Sequence, residues 1–135
     1  MTRTGRCLCG AVTYRIEGDP IATAICHCDH CQRHGGSAFS VNLMVLEDQI
    51  AIDGELQTYE ETGEEGDAVY VRRRFCGSCG SSILSELVQT AGMVAVKAGT
   101  LDDRSDVQPQ LEVWCVDRQP WVDIPGLAIS LEREA

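Results

Sequence analysis

Apolar residues along this chain recur mostly at every second position, in short runs broken by glycine, aspartate and proline. In AVTYRIE (11–17), Val12, Tyr14 and Ile16 alternate with polar neighbours, which predicts a half-buried strand. GDP at 18–20 predicts a turn, and the apolar AFSVNLMVL (38–46) predicts a central strand. QIAID (49–53), Gly54 and LQTYE (56–60) together predict a hairpin. ETGEEGD (61–67) is acidic and glycine-rich, and is expected to be a solvated loop. AVYVRRRF (68–75) sets Val69, Val71, Arg73 and Phe75 against Tyr70, Arg72 and Arg74. SSILSELV, MVAVKAG and LEVWCV predict three more strands. DHCQRHG is the best place for a helical turn, with Asp29 as its N-cap, and another short turn is expected near Asp102. No repeat or low-complexity linker divides the chain, so residues 1–135 are expected to form a single, mainly β domain with very little helix.

Composition changes this picture in two ways. With 11 basic and 21 acidic residues the net charge is −10, which argues against a nucleic-acid partner because phosphate backbones would be repelled. No stretch approaches the roughly 18 apolar residues of a membrane span, so no membrane partner is expected. The N-terminal MTRTGRCLCGAVTYRIEG has no apolar core of a signal peptide, and the expected location is cytoplasmic. A homo-oligomer is compatible with the composition.

The second feature is eight cysteines, at positions 7, 9, 26, 28, 31, 76, 79 and 115. CxC and CxxC spacings suit two sulfurs on one ion better than links between distant loops, so metal binding is expected rather than disulfides. Cys7 and Cys9 lie in CLCG, and Cys76 and Cys79 lie in FCGSCG, each pair followed directly by glycine. A glycine there lets the backbone turn and aim N–H groups at sulfur, and two such knuckles can close one tetrahedral four-cysteine zinc site. A thioredoxin-like redox role for Cys76 and Cys79 would need a helix starting at the motif, whereas Ser81–Leu84 reads as strand.

Four cysteines then remain. Cys26, Cys28 and Cys31 form CHCDHC, and can wrap three sulfurs around one face of an ion. Three protein ligands with one open position is the catalytic zinc pattern. Three thiolates make such a zinc a weak Lewis acid that suits a soft incoming sulfur better than hydroxide. Cys115, in an apolar strand, or a histidine could instead complete a second closed site. The ring of His27 should point away from an ion shared by its neighbours, while Arg33 and His34 are candidate contacts to a substrate carboxylate. Arg72, Arg73 and Arg74 could form a basic patch or simply a solvated strand face.

These pieces together resemble the glutathione-dependent formaldehyde-activating enzyme family, which also contains the centromere protein V-like proteins. The matching segments are CLCGAV (7–12), CHCDHCQRHGG (26–36), RRFCGSCGS (73–81), AGTLDD (98–103) and RQPWV (118–122). The resemblance implies a β-tent of antiparallel sheets around a structural zinc held by Cys7, Cys9, Cys76 and Cys79. It implies a catalytic zinc on Cys26, Cys28 and Cys31, hence two Zn2+ per chain, and glutathione plus formaldehyde as substrates of a carbon–sulfur lyase. The chain departs from the family at Glu112, where a histidine is common, and at the additional Cys115. A zinc-stabilised binding module without chemistry, or a related zinc enzyme acting on another thiol or small electrophile, remain as alternatives.

Metal analysis of the purified protein is therefore expected to return two zinc ions per chain, with the second stripped first by a chelator. Eight free thiols should titrate after denaturation in chelator; a result of four disulfides would contradict the metal reading.

Overall fold

The computed structural model describes residues 1–63 and 66–134. In chain order its elements are β1 (Thr2–Arg6), β2 (Thr13–Glu17), β3 (Ala22–Cys26), α1 (Asp29–Gly35), β4 (Ser40–Leu46), β5 (Ile50–Asp53) and β6 (Leu56–Thr62). They continue with β7 (Val69–Cys76), β8 (Ser82–Leu87), β9 (Met93–Lys97), β10 (Leu111–Val113) and β11 (Ile129–Ser130). The mainly β expectation holds. None of the described helices is long and apolar enough to cross a membrane.

The strands form two sheets. A small antiparallel sheet has the order β1-β2-β5, and a larger one has the order β11-β10-β3-β4-β9-β8-β7-β6. All ladders are antiparallel except those β10 makes with β3 and β11. AFSVNLMVL delivers the central strand expected of it: β4 pairs with β3 on one side and β9 on the other.

Alternation along β2 explains how the sheets meet. Val12, Tyr14 and Ile16 are all buried, and pack with Leu43, Val45, Ile83, Leu84, Val94 and Val96 of the large sheet. Removing a side chain such as Ile16 from water contributes roughly 1.5–3 kcal/mol. Cys7 and Cys76 belong to the same core. Polar TRTGR was not legible as a strand, yet β1 pairs with β2 along its whole length. Its Gly5 lies where a Cβ would be 2.2 Å from the Tyr14 ring, so only glycine lets Tyr14 lie flat beneath β1.

Several local expectations are corrected. Residues 49–60 do not form a hairpin: β5 pairs with β2 in the small sheet, whereas β6 pairs with β7 in the large one. Gly54 is the crossing point, with φ +107° and no room for a Cβ, which would be 2.3 Å from the Ala11 carbonyl oxygen. Glu61 and Thr62 belong to β6 rather than to a solvated loop, and Glu61 is buried. Glu64 and Glu65 of that expected loop lie outside the described residues. The strand in LEVWCV ends at Val113, because Trp114 takes a left-handed φ of 57° and Cys115–Asp117 turn into a 3-10 helix. The short turn expected near Asp102 occurs just before it, as a 3-10 turn at Ala98–Thr100.

Gly54→Ala should destabilise the protein by about 2 kcal/mol or more, since it combines a strained φ with a backbone clash. Urea unfolding of the metal-loaded protein checks this, and a change below about 0.5 kcal/mol would contradict the crossing geometry.

Candidate metal centres

The four-cysteine constellation assembles where β1 leaves the small sheet and β7 ends in the large one. Gly10 and Gly80, which follow the second cysteine of each pair, both take positive φ, 82° and 80°. The Val12 N–H donates to the Cys7 sulfur at 3.3 Å. The Leu8 N–H donates to the Ser81 hydroxyl at 2.9 Å, and that hydroxyl lies 3.2 Å from the Cys79 sulfur. All eight cysteines are free thiols.

The donor set fits a zinc ion. Cys7, Cys9, Cys76 and Cys79 place their sulfurs within 4.8 Å of one another. The Cys7–Cys9 and Cys9–Cys76 separations are 3.6 and 3.8 Å. A tetrahedron with Zn–S bonds of about 2.3 Å has edges of about 3.8 Å. The Ser81 hydroxyl holds the Cys79 thiol down to about 5. The Ala11 N–H pulls Cys9 the same way, but proton sharing with Cys7 and burial win and push it up to about 11. Four sulfurs this close resist full ionisation unless a cation sits among them.

The second cluster is built at the end of β3 and the start of α1. The sulfurs of Cys26, Cys28 and Cys31 also lie within 4.8 Å of one another. Asp29 was expected to cap α1, but the cap is Cys28, whose sulfur accepts from the Cys31 N–H at 3.2 Å. Gly36, with φ 68°, ends the helix. Hydrogen bonds from Cys26 and Cys28 hold the Cys31 thiol far below its usual range, while Cys28 and Cys31 push Cys26 far above it. The cluster thus has the character of one shared negative charge rather than three independent thiols.

Around these sulfurs stand His34 and Arg73, which the sequence offered as candidates, and Glu61 and Lys97, which it did not. Arg73, 4% exposed, pairs with Glu61 at 2.8 Å, and its charge reaches Cys31. His30 reaches the other Glu61 oxygen through Nδ1 at 3.0 Å. Burial alone would raise the Glu61 carboxyl, but hydrogen bonds from Arg73 and His30 outweigh it and hold it below the usual range. Lys97 donates to the Asn42 side-chain oxygen at 2.7 Å, and feels Cys31, Cys26 and Cys28. His34 is half-buried; burial, then Arg73 and Lys97, lower its pKa below 6.5. Arg72 and Arg74 instead make ion pairs with Glu60 and Glu86, both at 3.2 Å.

His27 behaves as expected of a residue between two ligand candidates. It is fully buried, turned to Glu112 with Nε2 2.7 Å from Oε1. The other Glu112 oxygen accepts from the Ser130 hydroxyl at 2.7 Å. Cys115 joins this group: its sulfur lies within 4.8 Å of His27 and Glu112 donor atoms rather than completing a set with Cys26, Cys28 and Cys31. Arg33 is exposed, pairs with Asp29 at 2.9 Å, and lines a groove of about 680 Å³ with Gln32, Ser37, Gln119 and Trp121.

A sequence profile of the family described as glutathione-dependent formaldehyde-activating enzyme matches residues 2–117. No curated protein matches the chain. Among solved structures it is similar to a crystal structure of a Rhodobacter sphaeroides protein, at 20% identity with a TM-score of 0.58. That alignment covers 78% of this chain and 91% of the other, and shows the same fold.

Arg73→Met should cost about 3–5 kcal/mol, because it strands the buried Glu61 carboxylate. Adding Glu61→Gln should recover a large part of that loss, as read by urea unfolding of the double variant. Protonation supplies the same test by pH. The depressed Glu61 pKa gives stability that is present above about 4.5 and fades as pH falls through the folded value.

Proposed function

We propose, for a chain that belongs to the glutathione-dependent formaldehyde-activating enzyme family, that it joins glutathione to formaldehyde as an S-(hydroxymethyl)glutathione synthase-like carbon–sulfur lyase. The observation that carries this reading is the contrast between the two sulfur clusters. One offers four sulfurs at tetrahedral spacing; the other offers three, beside the buried Arg73 and the half-buried Lys97. In this reading Cys7, Cys9, Cys76 and Cys79 hold a structural zinc. Cys26, Cys28 and Cys31 hold a catalytic one, which when bound supplies a soft Lewis acid that lowers the pKa of a substrate thiol.

The reaction itself is a simple addition. The sulfur lone pair forms a C–S bond, the carbonyl π pair moves to oxygen, and the thiol proton ends on that oxygen. No electron is gained or lost overall. In this reading His34, one helical turn beyond Cys31 and with a pKa lowered by burial, would take the thiol proton and return it to the new hydroxyl. Arg73 and Lys97 give the anionic thiolate a positive surround within a strongly acidic protein. Arg33, already engaged by Asp29, could meet a glutathione carboxylate only by exchanging that partner. The cost of doing so is small, because an exposed ion pair is worth about 0–1 kcal/mol. The chain is read as one domain over residues 1–135.

Because thiols add to formaldehyde unaided, turnover must be measured above that background. Cys31→Ala is expected to keep the unfolding midpoint near the parent's, lose one of two zinc ions and lose the catalysed rate by about 100-fold or more. Cys76→Ala should instead lose the fold. Retention of the catalysed rate in Cys31→Ala would overturn the assignment.

A further inference from the structure

Lys97 is the only lysine in the chain, and it is placed where a lysine is costly. It ends β9 half-buried, and among the described residues its ammonium donates to the neutral amide of Asn42, at 2.7 Å. Among the described residues no carboxylate lies within ion-pair distance of it, although the chain carries 21 acidic residues. The buried arginine near it has such a partner: Arg73 has Glu61. An ammonium that is partly withdrawn from water without a counter-charge is unfavourable, so an anion belongs nearby. The anions within reach are the sulfurs of Cys31, Cys26 and Cys28.

Strand register places Lys97 toward this cluster rather than by accident of a flexible side chain. Residues directly opposite in a sheet share a face. Lys97 lies opposite Asn42, and Ala95, two residues earlier, lies opposite Ser85, which lies opposite Arg73. Ser40, two residues before Asn42, lies opposite Cys26, and its hydroxyl reaches the Cys31 sulfur. One face of the large sheet thus carries a polar row of Arg73, Ser85, Lys97, Asn42 and Ser40 beneath the cysteines. The Ser85 hydroxyl in that row is buried and has no hydrogen-bond partner. Such a row inside a sheet core is expensive unless it serves what lies above it.

We propose that Lys97 is a positioning residue whose fixed charge lets the three-sulfur centre hold its metal and accept an anionic thiolate in preference to a neutral ligand. This rests on the reading of Cys26, Cys28 and Cys31 as a metal site with an open position. Charge counting gives the reason. A divalent ion on three thiolates carries a net −1, and an incoming thiolate makes it −2. Arg73 is already committed to Glu61, so Lys97 is the uncommitted positive charge in the surround. Asn42 holds the ammonium in place without cancelling it.

The test uses the cobalt-substituted full chain, and reads the thiolate-to-metal absorption bands as glutathione or imidazole is titrated in. Glutathione enters as an anion and imidazole as a neutral ligand. Lys97→Met is expected to weaken glutathione about ten-fold, the effect of one poorly screened charge, while imidazole changes less than about two-fold. The same variant should release the more labile cobalt to a chelator at lower concentration, with the four-sulfur site unchanged. Lys97→Arg should restore most of the glutathione affinity. Equal weakening of both ligands would assign Lys97 a structural role and overturn the proposal, as would unchanged binding of both. If the parent's bands respond to imidazole but not to glutathione, the thiolate reading of the site fails and this proposal with it. If they respond to neither, the open position itself is wrong.

Discussion

Four sulfurs from two distant knuckles meet at one point, and the rest of the structure hangs on that meeting. Cys9 and Cys76 are 67 residues apart in sequence and 3.8 Å apart at sulfur. Cys7 and Cys76 are both buried within the core that joins the small sheet to the large one. An ion there would tie β1 and β2 to the end of β7, and structural zinc in such sites contributes on the order of 10 kcal/mol of apparent binding free energy. The knuckle glycines and the Ser81 hydroxyl already hold the sulfurs in place. The knot also fixes the lower end of β7, and therefore the height at which Arg73 enters the second cluster.

From that anchor the three-sulfur cluster is reached through the large sheet. β3, an interior strand, ends at Cys26, and α1 follows it with Cys31. Cys28 serves twice, as helix cap and as one of the three sulfurs. The His27 ring between them is drawn down to Glu112, so the CHC turn is held from below while its sulfurs face Arg73, Lys97 and His34. Glu112 joins β10, Ser130 and the buried imidazole in one hydrogen-bonded group. Two clusters of one element thus acquire different surroundings. One is fed by backbone N–H groups and a hydroxyl; the other is flanked by cations.

The cysteine clusters were legible because metal spacing is local: CxC and CxxC announce themselves within a few residues. The cations were not, because Lys97 and Arg73 meet the cysteines only through the register of strands far apart in sequence. Nothing in MVAVKAG distinguishes a half-buried lysine from a solvated one. The 49–60 segment misled for a related reason. Gly54 suits a hairpin turn and a crossing between sheets equally well, and only the contact with Ala11 decides. Asp29 satisfied the usual rule for a helix cap, which does not count sulfur as an acceptor. Glu61 looked like loop because its acidic neighbours follow it, yet it lies in β6 opposite Val71 and pairs diagonally with Arg73, two residues further along β7.

The central claim is that one sulfur cluster is closed and the other takes its fourth sulfur from the substrate. Zinc X-ray absorption on the fully loaded protein measures this directly, as the mean number of sulfurs per zinc. The account predicts about 3.5 without substrate, rising to about 4 when glutathione is added, at Zn–S distances near 2.3 Å. A mean of 4 before glutathione, or no rise after it, would contradict the account.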